Sequence, residues 1–120
     1  MNIKEAFLSA KSLLKEVTIE AWDITVYIRK WSAAERTAYL KNIISIEGQQ
    51  VSLKGDMQEE MVKMLQITLC DENGVRAFTD SKEDFDLLNS KDADVIERLF
   101  KLATEYNGMG ENSEKEAIKN

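Results

Sequence analysis

The residue with the most reactive side chain in this sequence is a single thiol, Cys70, followed directly by Asp71 and Glu72. A thiolate nucleophile needs a positive or basic neighbour to lower its pKa, and adjacent carboxylates act in the opposite direction. The chain contains no histidine, which removes the usual general base, the Ser-His and Cys-His pairs and the commonest zinc ligand. Cys70 therefore reads as a structural thiol at the end of an apolar helix. Oxygen-ligand chemistry is the next possibility, because Asp71, Glu72, Asn73 and Gly74 are followed by Asp80, Glu83, Asp84 and Asp86. An EF-hand loop needs ligands at alternate positions with glycine sixth and glutamate twelfth, whereas Gly74 follows Asp71 by only three residues. Turn and capping duties account for these side chains. Gly108 and Gly110 flank Met109, but no strand precedes them and no GxGxxG spacing follows. No catalytic residue, metal ligand or cofactor is expected.

Binding chemistry remains. Trp22, Tyr27 and Trp31 cluster around a short extended segment, where aromatics serve either as anchors for a partner or as the lid of a small core. Met57, Met61 and Met64 recur at helical spacing; flexible thioethers fill cores and also suit a surface that accepts a long apolar partner. The candidate partner-binding residues are Trp22, Tyr27, Trp31, Met57 and Met61.

The elements that must position them follow from periodicity. Residues 3–15 show apolar positions at intervals of three and four, predicting a narrow amphipathic helix that packs on a neighbour. From Val17 the period becomes two, with Val17, Ile19 and Ala21, then Ile24, Val26 and Ile28, alternating with polar residues. That predicts a β-hairpin reversed at Trp22-Asp23, without the Asn-Gly or Asp-Gly pair of the tightest turns. Ser32 and Glu35 have capping-box spacing at the start of a helix expected to run to about Ile46. Residues 48–55 read as a polar connector. Asp56 and Glu59 open another helix with Met57, Met61, Met64 or Leu65, and Thr68 or Leu69 as its stripe, expected to be the most buried. Asp71-Glu72-Asn73-Gly74 predicts a turn, residues 75–78 a short extended piece, and Thr79-Asp80-Ser81 the cap of a short helix. The last helix starts at Ser90 or Asp92, buries Val95, Ile96, Leu99, Phe100, Leu102, Ala103 and Tyr106, and stops at Asn107-Gly108.

With 120 residues, 43% of them hydrophobic, five glycines and no proline, the chain is expected to form one domain over residues 1–110, with a polar, disordered tail over 111–120. The fold class is α+β, mainly α, with about five helices and a β-hairpin in the N-terminal half. Sixteen basic against 22 acidic residues give a net charge of -6, which repels phosphate backbones and anionic lipid, so neither nucleic acid nor membrane is an expected partner. No signal-peptide pattern is present, and no stretch approaches the roughly 18 apolar residues of a membrane span. A lone cysteine suits a reducing compartment.

Ala21-Trp22, Val26-Tyr27-Ile28-Arg29 and Ser32-Ala33-Ala34-Glu35-Arg36 are followed by Leu69-Cys70-Asp71-Glu72-Asn73-Gly74-Val75-Arg76-Ala77-Phe78-Thr79-Asp80, and then by Ile96-Glu97-Arg98-Leu99-Phe100 with Ala103 and Asn107-Gly108-Met109. This ordered series, over about residues 17–110, resembles the tail assembly chaperones of phages and prophages with long, non-contractile tails. The resemblance implies a non-catalytic protein of the host bacterial cytoplasm that binds the tape measure protein, a very long helical polypeptide. It would keep that partner soluble while the tail tube assembles and be absent from the mature virion. The resemblance also implies a homo-oligomer, and a longer frameshifted form that recruits the tail tube protein; Lys119-Asn120 is compatible with a slippery A-rich heptamer. The alternative is a structural tail or head-tail component retained in the virion. A DNA-mimicking inhibitor fits less well, because lysine and arginine interrupt the carboxylates.

Overall fold

The computed structural model describes residues 2–47, 50–53 and 57–109. Lys15–Ile19 (β1) and Ile24–Ile28 (β2) form the expected antiparallel hairpin, with Val17 opposite Val26 and Ile19 opposite Ile24. The two-residue alternation puts Val17, Ile19 and Ile28 in the core and leaves Glu16, Thr18 and Thr25 exposed. Its reversal is one 3-10 turn, Glu20–Trp22, closed by Asp23 at φ 52°. Aspartate is among the few non-glycine residues that accept this left-handed conformation, so the hairpin closes without glycine.

Ala33–Ile43 (α2) begins at the predicted capping box. Glu35 N donates to Ser32 Oγ at 3.1 Å, and Ser32 N donates to Glu35 Oε1 at 2.8 Å. The helix stops short of Ile46. Ile44–Glu47 (β3) and Gln50–Leu53 (β4) pair antiparallel instead, so the described part of the expected connector, Gln50–Leu53, is a strand. Ile44, Ile46, Val51 and Leu53 already carry a two-residue period, and reading the helical stripe past Ile43 concealed it.

Met57–Thr68 (α3) is the most buried helix, as expected: Val62, Met64, Leu65 and Thr68 have no accessible surface. It packs against α2, Lys82–Asn89 (α4) and Ala93–Tyr106 (α5). Its last residue leads directly into Leu69–Cys70 (β5), which adds to the hairpin with Leu69 opposite Ile28 and Cys70 opposite Tyr27. The resulting sheet has the order β1-β2-β5. Sequence reading had assigned Leu69 and Cys70 to the helix, because a two-residue strand has no period to detect. The turn after it forms as predicted: Asp71 Oδ1 accepts from Asn73 N at 2.8 Å and Val75 N at 3.0 Å, with Gly74 at φ 81°. Ser81 caps α4, accepting from Asp84 N at 3.2 Å. α5 follows Asp92, buries Val95, Ile96, Leu99 and Ala103, and ends at Asn107 and Gly108, the latter at φ 77°.

Ile3–Ser9 (α1) is shorter than the predicted 3–15 and buries no residue. The backbone turns extended at Ala10, leaving Ile3, Phe7 and Leu8 each 78% exposed and Leu13 85% exposed. The expected packing of this helix on a neighbour is not seen among the described residues. The tail at 111–120 lies outside them.

These differences in burial give a direct stability test. Leu65→Ala is expected to cost about 2–5 kcal/mol, the range for emptying a packed core site, whereas Phe7→Ala stays within about 0.5 kcal/mol. Urea unfolding of both variants measures the contrast.

Candidate partner-binding site

The five candidate residues occupy different surroundings. Trp22 is half-buried at the hairpin end, where its Nε1 donates to Asp92 Oδ2 at 3.3 Å. With Ile24, Phe78 and Leu87 it rims a shallow cleft of about 500 Å³. Tyr27 is half-buried on the opposite face of β2, beside Cys70. Trp31 is only 9% exposed and its ring meets Tyr39 at 5.3 Å, tilted by 52°. Met57 is exposed at the start of α3, and Met61 is half-buried one turn on. Only Trp22 among the five lines either of the two principal clefts.

The larger cleft, about 780 Å³, lies between α2, α3, α4 and the segment 76–81. Its framework is well bonded. The buried Gln66 donates through Nε2 to Thr79 O at 2.8 Å and Ser81 O at 3.2 Å, while its own carbonyl accepts from Arg76. Arg76 also pairs with Asp80 at 2.7 Å. Glu60 is the exception: it is 4% exposed, its Oε1 lies 3.7 Å from Lys63 Nζ, and its Oε2 has no hydrogen-bond partner among the described residues. Burial, and then the charge of Glu60, push the Tyr39 phenol up to about 12. Glu60 is not among the residues singled out from the sequence. One signal was available: Glu60, Met64 and Thr68 stand four residues apart, so the carboxylate falls on a buried row of α3.

Of the residues considered for chemistry, Cys70, Asp71, Asp80 and Asp84 have structural partners. Cys70 is buried, its Sγ donates to Tyr27 O at 3.5 Å, and burial pushes the thiol up despite the opposing charge of Arg29. Asp84 accepts from Thr79 N at 2.7 Å and Thr79 Oγ1 at 2.8 Å. At Glu35, burial raises the carboxyl but bonds from Arg29 and Ser32 outweigh it and hold the group below its ordinary range; the Arg29 pair is bidentate, at 3.2 and 2.7 Å. Among the described residues no group of His, Cys, Asp and Glu is arranged to hold a metal ion, and no helix is long and apolar enough to cross a membrane.

Comparison with known proteins places these features in context. The family model for the phage tail assembly chaperone matches residues 2–120. Among solved structures, the tail assembly chaperone of bacteriophage HK97 matches with a TM-score of 0.58 and 17% identity, over 85% of this chain and 94% of that one. At that identity the likeness concerns the fold. No curated protein matches the chain.

The buried pair of Tyr39 and Glu60 predicts an alkaline transition. Because the folded pKa of Tyr39 is raised from 10.0 to about 12, its contribution to stability is complete below pH 10 and is lost as pH rises toward 12. Tyr39→Phe should remove that phenolate step from an ultraviolet titration, and Glu60→Gln should move it downward. Cys70 should resist iodoacetamide in the native protein and react promptly in urea.

Proposed function

The chain belongs to the phage tail assembly chaperone family, and from that premise we propose that it is a non-catalytic chaperone that binds the tape measure protein and keeps it soluble while the tail tube assembles. The observation that carries this reading is the helix α1, whose Ile3, Phe7 and Leu8 are each 78% exposed on a molecule of net charge -6. Apolar side chains that the described residues of their own chain leave uncovered are contact surface for another. A very long helical polypeptide exposes repeated apolar stripes, and an amphipathic helix is a suitable complement to such a stripe. The acidic surface around each contact would keep coated complexes from sticking to one another.

In this reading Trp22, Tyr27, Met57 and Met61 add contacts from surface they retain, and Trp31 contributes from within by fixing the exit of the hairpin. The chaperone acts as a homo-oligomer in the host cytoplasm and leaves before the virion matures. A longer frameshifted form extends past the polar segment 111–120 and recruits the tail tube protein, with residues 1–110 as the shared domain.

Co-expression with the tape measure protein, followed by solubility and pull-down assays, is the decisive experiment. Wild type should render that protein soluble and co-purify with it. The double variant Phe7→Asp, Leu8→Asp should lower retention by about tenfold or more, the scale of losing an apolar anchor, with an unchanged melting temperature. A tape measure that stays insoluble and unbound, even with the longer form present, would sink the proposal. Mass spectrometry of purified virions should find no copies; stoichiometric copies would favour a retained structural component.

A further inference from the structure

Glu60 is 4% exposed, yet its Oε2 has no donor among the described residues. The nearest cation, Lys63, is 3.7 Å from Oε1 and sits closer to Glu59, at 3.0 Å. A carboxylate withdrawn from water with one oxygen unpaired is costly to keep, so such a group marks a place where a donor is supplied from elsewhere. The surroundings specify the donor. At about 780 Å³ the cleft is far larger than a single ion needs, and among the described residues there is no ligand set for a metal. Five carboxylates against three cationic groups line it, so its balance favours a positive guest. Ala38, Ile67 and Phe85 share the lining with Glu60, offering apolar contact to the methylene stem of a long side chain. Tyr39, kept neutral by burial and by Glu60, adds no competing charge.

We propose that this cleft receives a cationic side chain, arginine best, presented by the partner polypeptide, with Glu60 as its counter-ion. Arginine is favoured because its planar fork carries several N–H donors in fixed geometry, so that one can serve the Glu60 carboxylate while another serves a second acceptor. The identity of that polypeptide rests on the functional reading above; the cation site itself does not.

Two synthetic peptides test it on the intact chain: an alanine-based amphipathic helix with one arginine among leucines, and its twin with norleucine in that position. The arginine peptide should shift the NMR signals of Tyr39 and Gln66 and bind about tenfold more tightly than its twin, the scale of one charge-assisted pair. Glu60→Gln should erase that preference. Equal binding of the twins, binding of neither, or a preference that survives Glu60→Gln would each overturn the proposal. The twin comparison on wild type decides the question even where the variant folds poorly. If Glu60→Gln lowers self-association instead of peptide binding, the guest is a second copy and the proposal falls. Co-expression separates the two levels: full retention of the tape measure protein by Glu60→Gln refutes the cleft and leaves the chaperone reading intact. Peptide discrimination without retention by wild type refutes the chaperone reading and leaves the cation site intact.

Discussion

α3 passes into β5 between Thr68 and Leu69 with no residue in between, and this junction joins the helical layer to the sheet. Thr68 O accepts from Arg29 N at 2.9 Å, its hydroxyl donates back to Met64 O at 2.9 Å, and the next two residues pair with Ile28 and Tyr27. No flexible loop separates the two layers, so packing on one side fixes pairing on the other. The dependence is strong because the remaining parts are short. A hairpin of five-residue strands and an eight-residue α4 are marginal in isolation. Both become stable through contact with a segment whose Val62, Met64 and Leu65 are wholly inaccessible.

Polar side chains lock the arrangement at its edges. Asn107 closes α5 onto the hairpin exit: its Oδ1 accepts from Trp31 N at 2.9 Å and its Nδ2 donates to Ala103 O at 2.9 Å and Arg29 O at 3.3 Å. Tyr106 donates its hydroxyl to Leu13 O, and Lys30 lies 4.1 Å over its ring. Gln66 does the equivalent for the loop ahead of α4. Among the described residues three features break this pattern of satisfied groups: the exposed apolar face of α1, and two buried atoms without a hydrogen-bond partner, Arg29 Nε and Glu60 Oε2. Local conflict in an otherwise consistent fold is where function tends to reside.

Legibility in the sequence followed the range of the interaction responsible. The Ser32 and Glu35 cap, the Asp71 to Gly74 turn, the Ser81 cap and the buried stripe of α5 depend on neighbours a few residues apart, and all were readable. So was the hairpin from Val17 to Ile28, since its alternation is local. β5 was not, because two residues become a strand only through a partner some forty positions earlier. α1 was overextended past Ser9, since a helical period says nothing about whether a neighbour exists to bury it. Glu60 was missed for a related reason: it lines a cleft shared with α2 and α4, and neither neighbour is visible from the charge pattern Glu59-Glu60 alone.

On the proposed reading, the exposed face of α1 and the Glu60 carboxylate differ in their response to salt, which bears on how one small protein would hold both a partner and copies of itself. Copies that each carry a charge of -6 repel one another, and that repulsion is screened beyond about 8 Å at physiological ionic strength. Contacts of Ile3, Phe7 and Leu8 with the proposed partner would need only apolar burial, so screening of charge would leave them in place. Capture of a cation by Glu60 would be weakened at the stage of encounter, because screening reduces attraction between an acidic protein and a basic partner. Once the guest is seated in the cleft, burial protects the pair from that screening. If both proposals hold, an acidic chaperone built this way would be drawn first to a basic-flanked amphipathic helix and only then gather copies along it. Neutralisation by the partner's own cations would lower the repulsion that otherwise keeps the copies apart.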